Sequence, residues 1–86
     1  MLYVIAYDID SDDVRGKVAA YLTKRGTRLQ KSVFAADIDR HDFKRLLKEL
    51  ADLAEGHGDV MVIPLCSGCR RRTYRLQPSE RPFYVF

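Results

Sequence analysis

The apolar positions of this chain fall into short runs with two different periods. Residues 2–7 read Leu-Tyr-Val-Ile-Ala-Tyr, a continuous β-favouring run expected of a central strand covered on at least one face. The run stops at Asp8. The period then becomes helical, with Val14, Val18, Tyr21 and Leu22 on one stripe. Asp10 or Ser11 is placed to cap this helix, and Asp12 and Asp13 fall in its first turn, near the positive helix end. Gly26 is expected to stop it. Residues 27–39 are rich in β-formers and read as two strands, near 27–31 and 32–38, joined tightly around Lys31 and Ser32 without a Gly or Asn at the turn. Asp39 then opens a second helix, with Asp42 three positions on as in a weak capping box. Phe43, Leu46, Leu47, Leu50 and Ala54 form its apolar stripe, and Arg45–Glu49 and Lys48–Asp52 are spaced as i,i+4 pairs on its wet side. Gly56 and Gly58 end it. Residues 59–65 form another apolar strand, and Pro64 within it predicts an edge position. Residues 73–77 suit a short strand, Pro78 and Pro82 bracket a turn, and residues 83–86 are a final apolar run.

The order strand, helix, strand, strand, helix, strand folds through right-handed crossovers into an α+β, ferredoxin-like βαββαβ sandwich with one extra C-terminal strand. Two helices cover only one sheet face. The other face is left with apolar residues from a continuous central strand, and a monomer rarely exposes such a patch. A partner sheet or a ligand is expected there. The apolar tail favours a partner: added as a strand to a neighbour's sheet edge, it would be buried and would protect that edge. The chain therefore reads as one domain, with residues 1–66 as its core and residues 67–86 as a strand and tail docking on the partner of a homodimer.

Length agrees. The 86 residues allow a single domain, and one this small buries only about 60–65% of its unfolded surface, so dimerisation is a natural supplement. The start of the chain lacks the pattern of a secretory leader, and no apolar stretch approaches membrane-spanning length. Two cysteines in such a chain suggest a reducing compartment, and the cytoplasm is the expected location. The net charge is only +3, but it is segregated. Acidic residues crowd positions 8–13. Residues 14–36 contain none, yet carry Arg15, Lys17, Lys24, Arg25, Arg28 and Lys31. A second basic run holds Arg70, Arg71, Arg72 and Arg75. Segregation of this kind suits a polyphosphate partner, although each charge taken singly also suits a solvated surface.

Asp8 is the sharpest chemical candidate. A carboxylate directly after an apolar strand is held on a rigid element and suits a metal ligand. It equally suits an Asx-turn or a helix cap. One carboxylate does not complete a magnesium site, so Asp10, water, substrate phosphate or Asp8 of a second chain would supply the rest. Arg15, Lys17, Arg28 and Lys31 are candidates for phosphate contacts, which carry affinity without sequence information. Tyr7 and Phe34 could stack on bases, or belong to the core, as Phe34 does more naturally. Cys66-Ser-Gly-Cys69 is a single CxxC, with neither the second pair nor the spaced histidines of a zinc site, and an arginine run follows it. A redox CxxC usually stands between a strand and a helix, whereas here the arginine run follows, so structural thiols or a turn are favoured over chemistry. His41 and His57 read as exposed helix-flank residues.

Taken together, Tyr-Asp-Ile-Asp at 7–10, Arg15 and Lys17, Arg-Leu-Gln-Lys-Ser-Val-Phe at 28–34, and Pro-Leu-Cys-Ser-Gly-Cys at 64–69 make the chain resemble CRISPR-associated protein 2, the small subunit of the spacer-acquisition machinery. The resemblance spans nearly the whole chain. It implies a ferredoxin-like homodimer in which Asp8 pairs with its twin around a divalent ion, Mg2+ or Mn2+. It implies either a homodimeric scaffold for double-stranded DNA that bridges a CRISPR integrase, or a metal-dependent endonuclease acting on single-stranded RNA or double-stranded DNA. Tyr7, Arg15, Lys17, Arg28 and Phe34 fall at positions the family ties to substrate or activity. Lys17 replaces an arginine found in some members, losing its bidentate fork, and Ala35 stands where many members carry an acidic residue. A small-ligand regulatory module and an RNA-recognition module share the strand order. Nothing in the chain favours the first, and the aromatic signature of the second is missing from residues 32–38.

Overall fold

A computed structural model describes residues 1–75 and 84–85, the last two and Arg75 by their backbone. The elements are β1 (Leu2–Ile9), α1 (Asp12–Thr23), β2 (Thr27–Gln30), β3 (Val33–Asp37), α2 (Arg40–Ala54), β4 (Gly58–Leu65), a short α3 (Ser67–Arg71), β5 (Tyr74–Arg75) and β6 (Tyr84–Val85). The first six are the ferredoxin-like βαββαβ order.

The main sheet is antiparallel, in the order β2-β3-β1-β4. The continuous apolar run of β1 is central, as its composition requires. β4, which carries Pro64, is an edge, where a residue without an N–H costs no ladder bond. Register ties Ile5 to Phe34 on one side and Val62 on the other. That row lies under the helices, where Phe34, Ile5, Val18, Leu22 and Leu50 are the largest fully buried side chains. Alternation sends Val4 and Ala6, with their partners Ala35 and Val33 on β3 and Ile63 and Met61 on β4, to the opposite face. Among the described residues no helix covers that face. Met61 remains 55% and Ile63 41% exposed, far from what their side chains would favour in a closed core. The apolar face expected from two helices on four strands is therefore open along β4, while Ala35 on β3 is buried.

Local details depart from expectation in instructive ways. Ser11, not Asp10, caps α1: its hydroxyl accepts from the Val14 N–H at 3.2 Å. Asp39 takes the N-cap position of α2 without a side-chain hydrogen bond, so the capping box does not form. Arg45 turns back to Asp42 at 2.7 Å rather than forward to Glu49, and no ion pair among the described residues joins Lys48 to Asp52. Glu49 instead accepts a 2.5 Å hydrogen bond from the Tyr21 hydroxyl, linking α2 to α1. The Tyr21 ring also carries the Arg25 guanidinium at 3.6 Å. Gly26 has no left-handed backbone, so it is not the helix stop expected. Its role is close approach, since a Cβ there would overlap the Ala35 carbonyl oxygen of β3. The segment after β4 forms α3, and β5 pairs with β6 as a separate two-stranded ladder. The turn between Pro78 and Pro82, and the tail residues Phe83 and Phe86, lie outside the described residues.

Gly58 opens β4 at φ 148°, and a Cβ on it would overlap the Asp8 carbonyl oxygen and sit 2.9 Å from Ile9 Cα. Both strain and collision oppose any side chain there. Gly58→Ala is therefore expected to cost about 2–3 kcal/mol in urea unfolding. Gly16, in the exposed middle of α1 with open space around it, should behave oppositely. Gly16→Ala is expected to gain about 1 kcal/mol by removing glycine's helix penalty.

The Tyr21 phenol is pushed up from 10.0 to about 12, first by burial and then by its hydrogen bond to Glu49, against the opposing pull of Arg25. A folded value above the unfolded one means that the neutral phenol contributes fully below pH 10 and that this contribution fades as pH rises towards 12. The stability difference between wild type and Tyr21→Phe, followed by denaturant titration across that window, should shift steadily in favour of the variant. A pH-independent difference would show that the Tyr21–Glu49 contact does not persist in solution.

Candidate metal and nucleic-acid site

One end of the sheet gathers most of the candidate residues. β1 ends there, β2 turns into β3, and β4 begins. Tyr7 N–H bonds the Ser32 carbonyl at 3.0 Å, which sets the turn containing Lys31 beside the end of β1. Asp8 lies directly opposite Asp59 in the β1–β4 register. The flanking Tyr7 and Ile9 point into the core, so Asp8 projects on the bare face, and its cross-strand partner Asp59 does likewise. Both carboxylates are exposed, and neither makes an ion pair among the described residues. They rim a shallow cleft of about 150 Å³ with Ala6, Tyr7 and Met61.

Two unpaired carboxylates side by side offer hard oxygen ligands suited to Mg2+ or Mn2+. They make part of a coordination shell. Among the described residues no group of three or more His, Cys, Asp or Glu side chains converges. Water, a phosphate or the matching carboxylates of a second copy would have to complete it. Asp59 was missed in the sequence because its partnership with Asp8 exists only through the antiparallel register. His57, read as a helix-flank residue, belongs to this end as well. Its carbonyl accepts from Asp10 N–H at 3.1 Å and its Nδ1 lies 3.9 Å from the Asp10 carboxylate.

The cations divide into engaged and free. Arg15 reaches back from α1: Nη1 donates to the Ile9 carbonyl at 2.9 Å and Nη2 pairs with Asp12. It thereby fastens the turn that follows Asp8, leaving part of its fork for a ligand. Lys17 pairs with Asp13 at 3.3 Å on an exposed helix face, a contact that a phosphate could readily displace. Arg28, on the β2 edge, has no carboxylate partner among the described residues, and its guanidinium lies 5.0 Å from the centre of the Phe34 ring. Lys31 is exposed on the β2–β3 turn and likewise has no ion pair among the described residues.

Tyr7 and Phe34 require a correction. Tyr7 is 6% and Phe34 0% exposed, and the two rings stack on each other at 6.3 Å inside the core. Neither offers a face to a base. The apolar runs that carry them are two-sided only in part, and both residues fall on the helix-covered side. Their part in any site is indirect: Phe34 supports Arg28, and Tyr7 fixes the strand that presents Asp8.

Comparison with known proteins places this arrangement. Residues 1–73 match the family model described as CRISPR associated protein Cas2. A "CRISPR-associated endoribonuclease Cas2 4" of Rhodospirillum rubrum is 37% identical over 84 residues, covering 95% of this chain and 68% of that protein. The crystal structure of a hypothetical protein from Thermus thermophilus superposes with a TM-score of 0.71 at 33% identity, over 77% of this chain and 82% of that one. Streptococcus pyogenes Cas2 superposes with a TM-score of 0.78 over 90% of this chain and all of its own, and at 22% identity this likeness concerns the fold. With the family model spanning all six elements of the sandwich, the chain belongs to the CRISPR-associated Cas2 family.

Proposed function

We propose that the chain works as a homodimer paired across its bare sheet face, and that it grips a nucleic-acid duplex by its backbone as the DNA-holding scaffold of a CRISPR spacer-integration complex. The observation that carries this reading is the distribution of accessible groups. Arg28 and Lys31 are exposed cations without acidic partners among the described residues, while the aromatic rings at Tyr7 and Phe34 are buried. Single-strand binders need exposed rings as stacking platforms. Cations without such rings favour phosphate contacts, which are indifferent to sequence and suit a duplex. The apolar face beside them, with Met61 and Ile63 exposed, suits a second copy of itself. The proposal takes a CRISPR integrase as the partner, a reading the family supports, and the cytoplasm as the location, a reading the two free cysteines support.

A second reading is a metal-dependent endonuclease on single-stranded RNA or double-stranded DNA: the Asp8–Asp59 pair supports its metal, and the word endoribonuclease in the name of the Rhodospirillum rubrum relative supports its action on RNA. Asp8 and Asp59 of each copy would hold Mg2+ or Mn2+ where the two bare faces meet. When bound there, the ion supplies charge stabilisation to the phosphoryl oxygens and an activated water. Arg15 steadies the end of β1 so that Asp8 keeps its place, and Arg28 and Lys31 hold the substrate phosphates.

One set of measurements separates these readings. Duplex binding should fall steeply with salt and be equal on unrelated sequences. Arg28→Glu and Lys31→Glu should each weaken binding to all duplexes alike and reduce the salt slope by about one. Flat salt dependence or marked sequence preference would overturn the duplex grip. Incubation of wild type and Asp8→Ala with single-stranded RNA and double-stranded DNA, in magnesium, manganese or chelator, then tests catalysis. Metal-dependent cleavage lost in the variant makes Asp8 a catalytic metal ligand. Intact binding without cleavage by either protein leaves the scaffold.

A further inference from the structure

Cys66 and Cys69 stand apart from the site at the end of the sheet. They occupy the junction where the chain leaves β4, passes through the single helical turn of α3 and enters the β5–β6 ladder. Both thiols are free, with Cys66 exposed and Cys69 half-buried. Cys66 takes the N-cap position with extended backbone, and its carbonyl accepts from Arg70 N–H at 2.9 Å. Cys69 is fixed from its other side, its carbonyl accepting from the Thr73 hydroxyl at 2.7 Å and from Arg72 N–H at 3.1 Å. This turn folds the two side chains onto one side. An N-cap side chain lies over the second and third residues of its helix, and Cys69 is the third, so the turn sets the two thiols side by side.

We propose that Cys66 and Cys69 form a reversible dithiol–disulfide site that reacts with low-molecular-weight disulfides. Cys66 is the attacking residue, because it is the exposed one of the pair and sits at the N-cap. Hydrogen bonding from Cys69, with Arg72 nearby, holds its thiol below the usual cysteine range. Its thiolate attacks one sulfur of the small disulfide, forming a mixed disulfide and expelling one thiolate. Cys69 releases its proton to solvent and attacks the Cys66 sulfur, expelling the second thiolate. The net change is one protein dithiol oxidised to an intrachain disulfide and one small disulfide reduced to two thiols. A zinc site is the weaker fit, since it calls for four ligands and no third His, Cys, Asp or Glu among the described residues joins the pair. Closing the four-residue ring braces the covalent link between the main sheet and the β5–β6 ladder, and reduction releases it.

The test uses the reduced full-length protein and glutathione disulfide as the probe. After incubation the reaction is quenched in acid, remaining thiols are alkylated and the intact mass is measured. Wild type should lose both alkylatable thiols, retain no glutathione and stay a single chain, and dithiothreitol should restore both thiols. Cys69→Ser should stop halfway, with glutathione held on Cys66. In Cys66→Ser, Cys69 should acquire glutathione several-fold more slowly than Cys66 does in Cys69→Ser. A wild-type chain that remains doubly alkylated, keeps a glutathione adduct or links to a second copy through these cysteines overturns the proposal. The wild-type mass alone decides, so the result does not depend on how either serine variant folds.

Discussion

Everything in this structure depends on a four-stranded sheet having two helices to cover it, both on the same side. Right-handed crossovers from β1 to β2 and from β3 to β4 leave α1 and α2 no choice of face. The consequence is a division of labour along β1. Ile5, Tyr7 and Ile9 enter the core, while Val4, Ala6 and Asp8 face outward. A strand whose outward residues are apolar over most of its length and acidic at its end is ill suited to water. It is well suited to a second surface of the same kind, with carboxylates at its rim.

The electrostatics follow from where those elements end. Four strand ends meet beside Asp8 and bring Asp59, Lys31 and the Asp10–His57 contact with them. Arg15 is the brace of this end: one arm of its guanidinium holds the Ile9 carbonyl and the other holds Asp12. Such a half-buried bidentate contact secures geometry more than it attracts a ligand. Of the cations considered for the site, Arg28 and Lys31 make no ion pair among the described residues and are exposed, as the proposed phosphate contacts require. Acidic residues next to a nucleic-acid surface would repel it, unless a cation stands between them. Asp8 and Asp59 are thus either the seat of that cation or a boundary that the nucleic acid avoids.

Much of this was legible in the residues. The apolar run of β1, the helical stripes and Pro64 in β4 fixed the order and the edge, because each reflects burial, a property that one residue type reports directly. What the sequence concealed were relations between distant residues. Gly26 looks like a helix stop, but its smallness serves β3. Arg45 has Glu49 at the ideal helical spacing, yet Glu49 is claimed by Tyr21 from another helix. The burial of Tyr7 and Phe34 was the harder question, since a continuous apolar run does not say which alternate residues face the helices. Asp59 is the plainest case: nothing near it in sequence marks it, and only antiparallel pairing sets it opposite Asp8.

The two ends of the strand order are also unequal. β2 is four residues long, with a bulge between Arg28 and Gln30, so its outer edge offers little for another strand to pair with. β4 is eight residues long and apolar in most of its positions, and Pro64 is the one break in its donor row. The bare face and the inviting edge therefore meet on the same strand, at Met61 and Ile63. A flat ligand would satisfy the face and leave the edge unpaired. An added strand would satisfy the edge and leave the face wet. A second copy of the chain can answer both at once, presenting its own apolar sheet to the face and a strand to β4. That is the structural argument for the proposed dimer over a small-molecule pocket, and under that proposal the Asp8–Asp59 rim lies where the two sheets would meet.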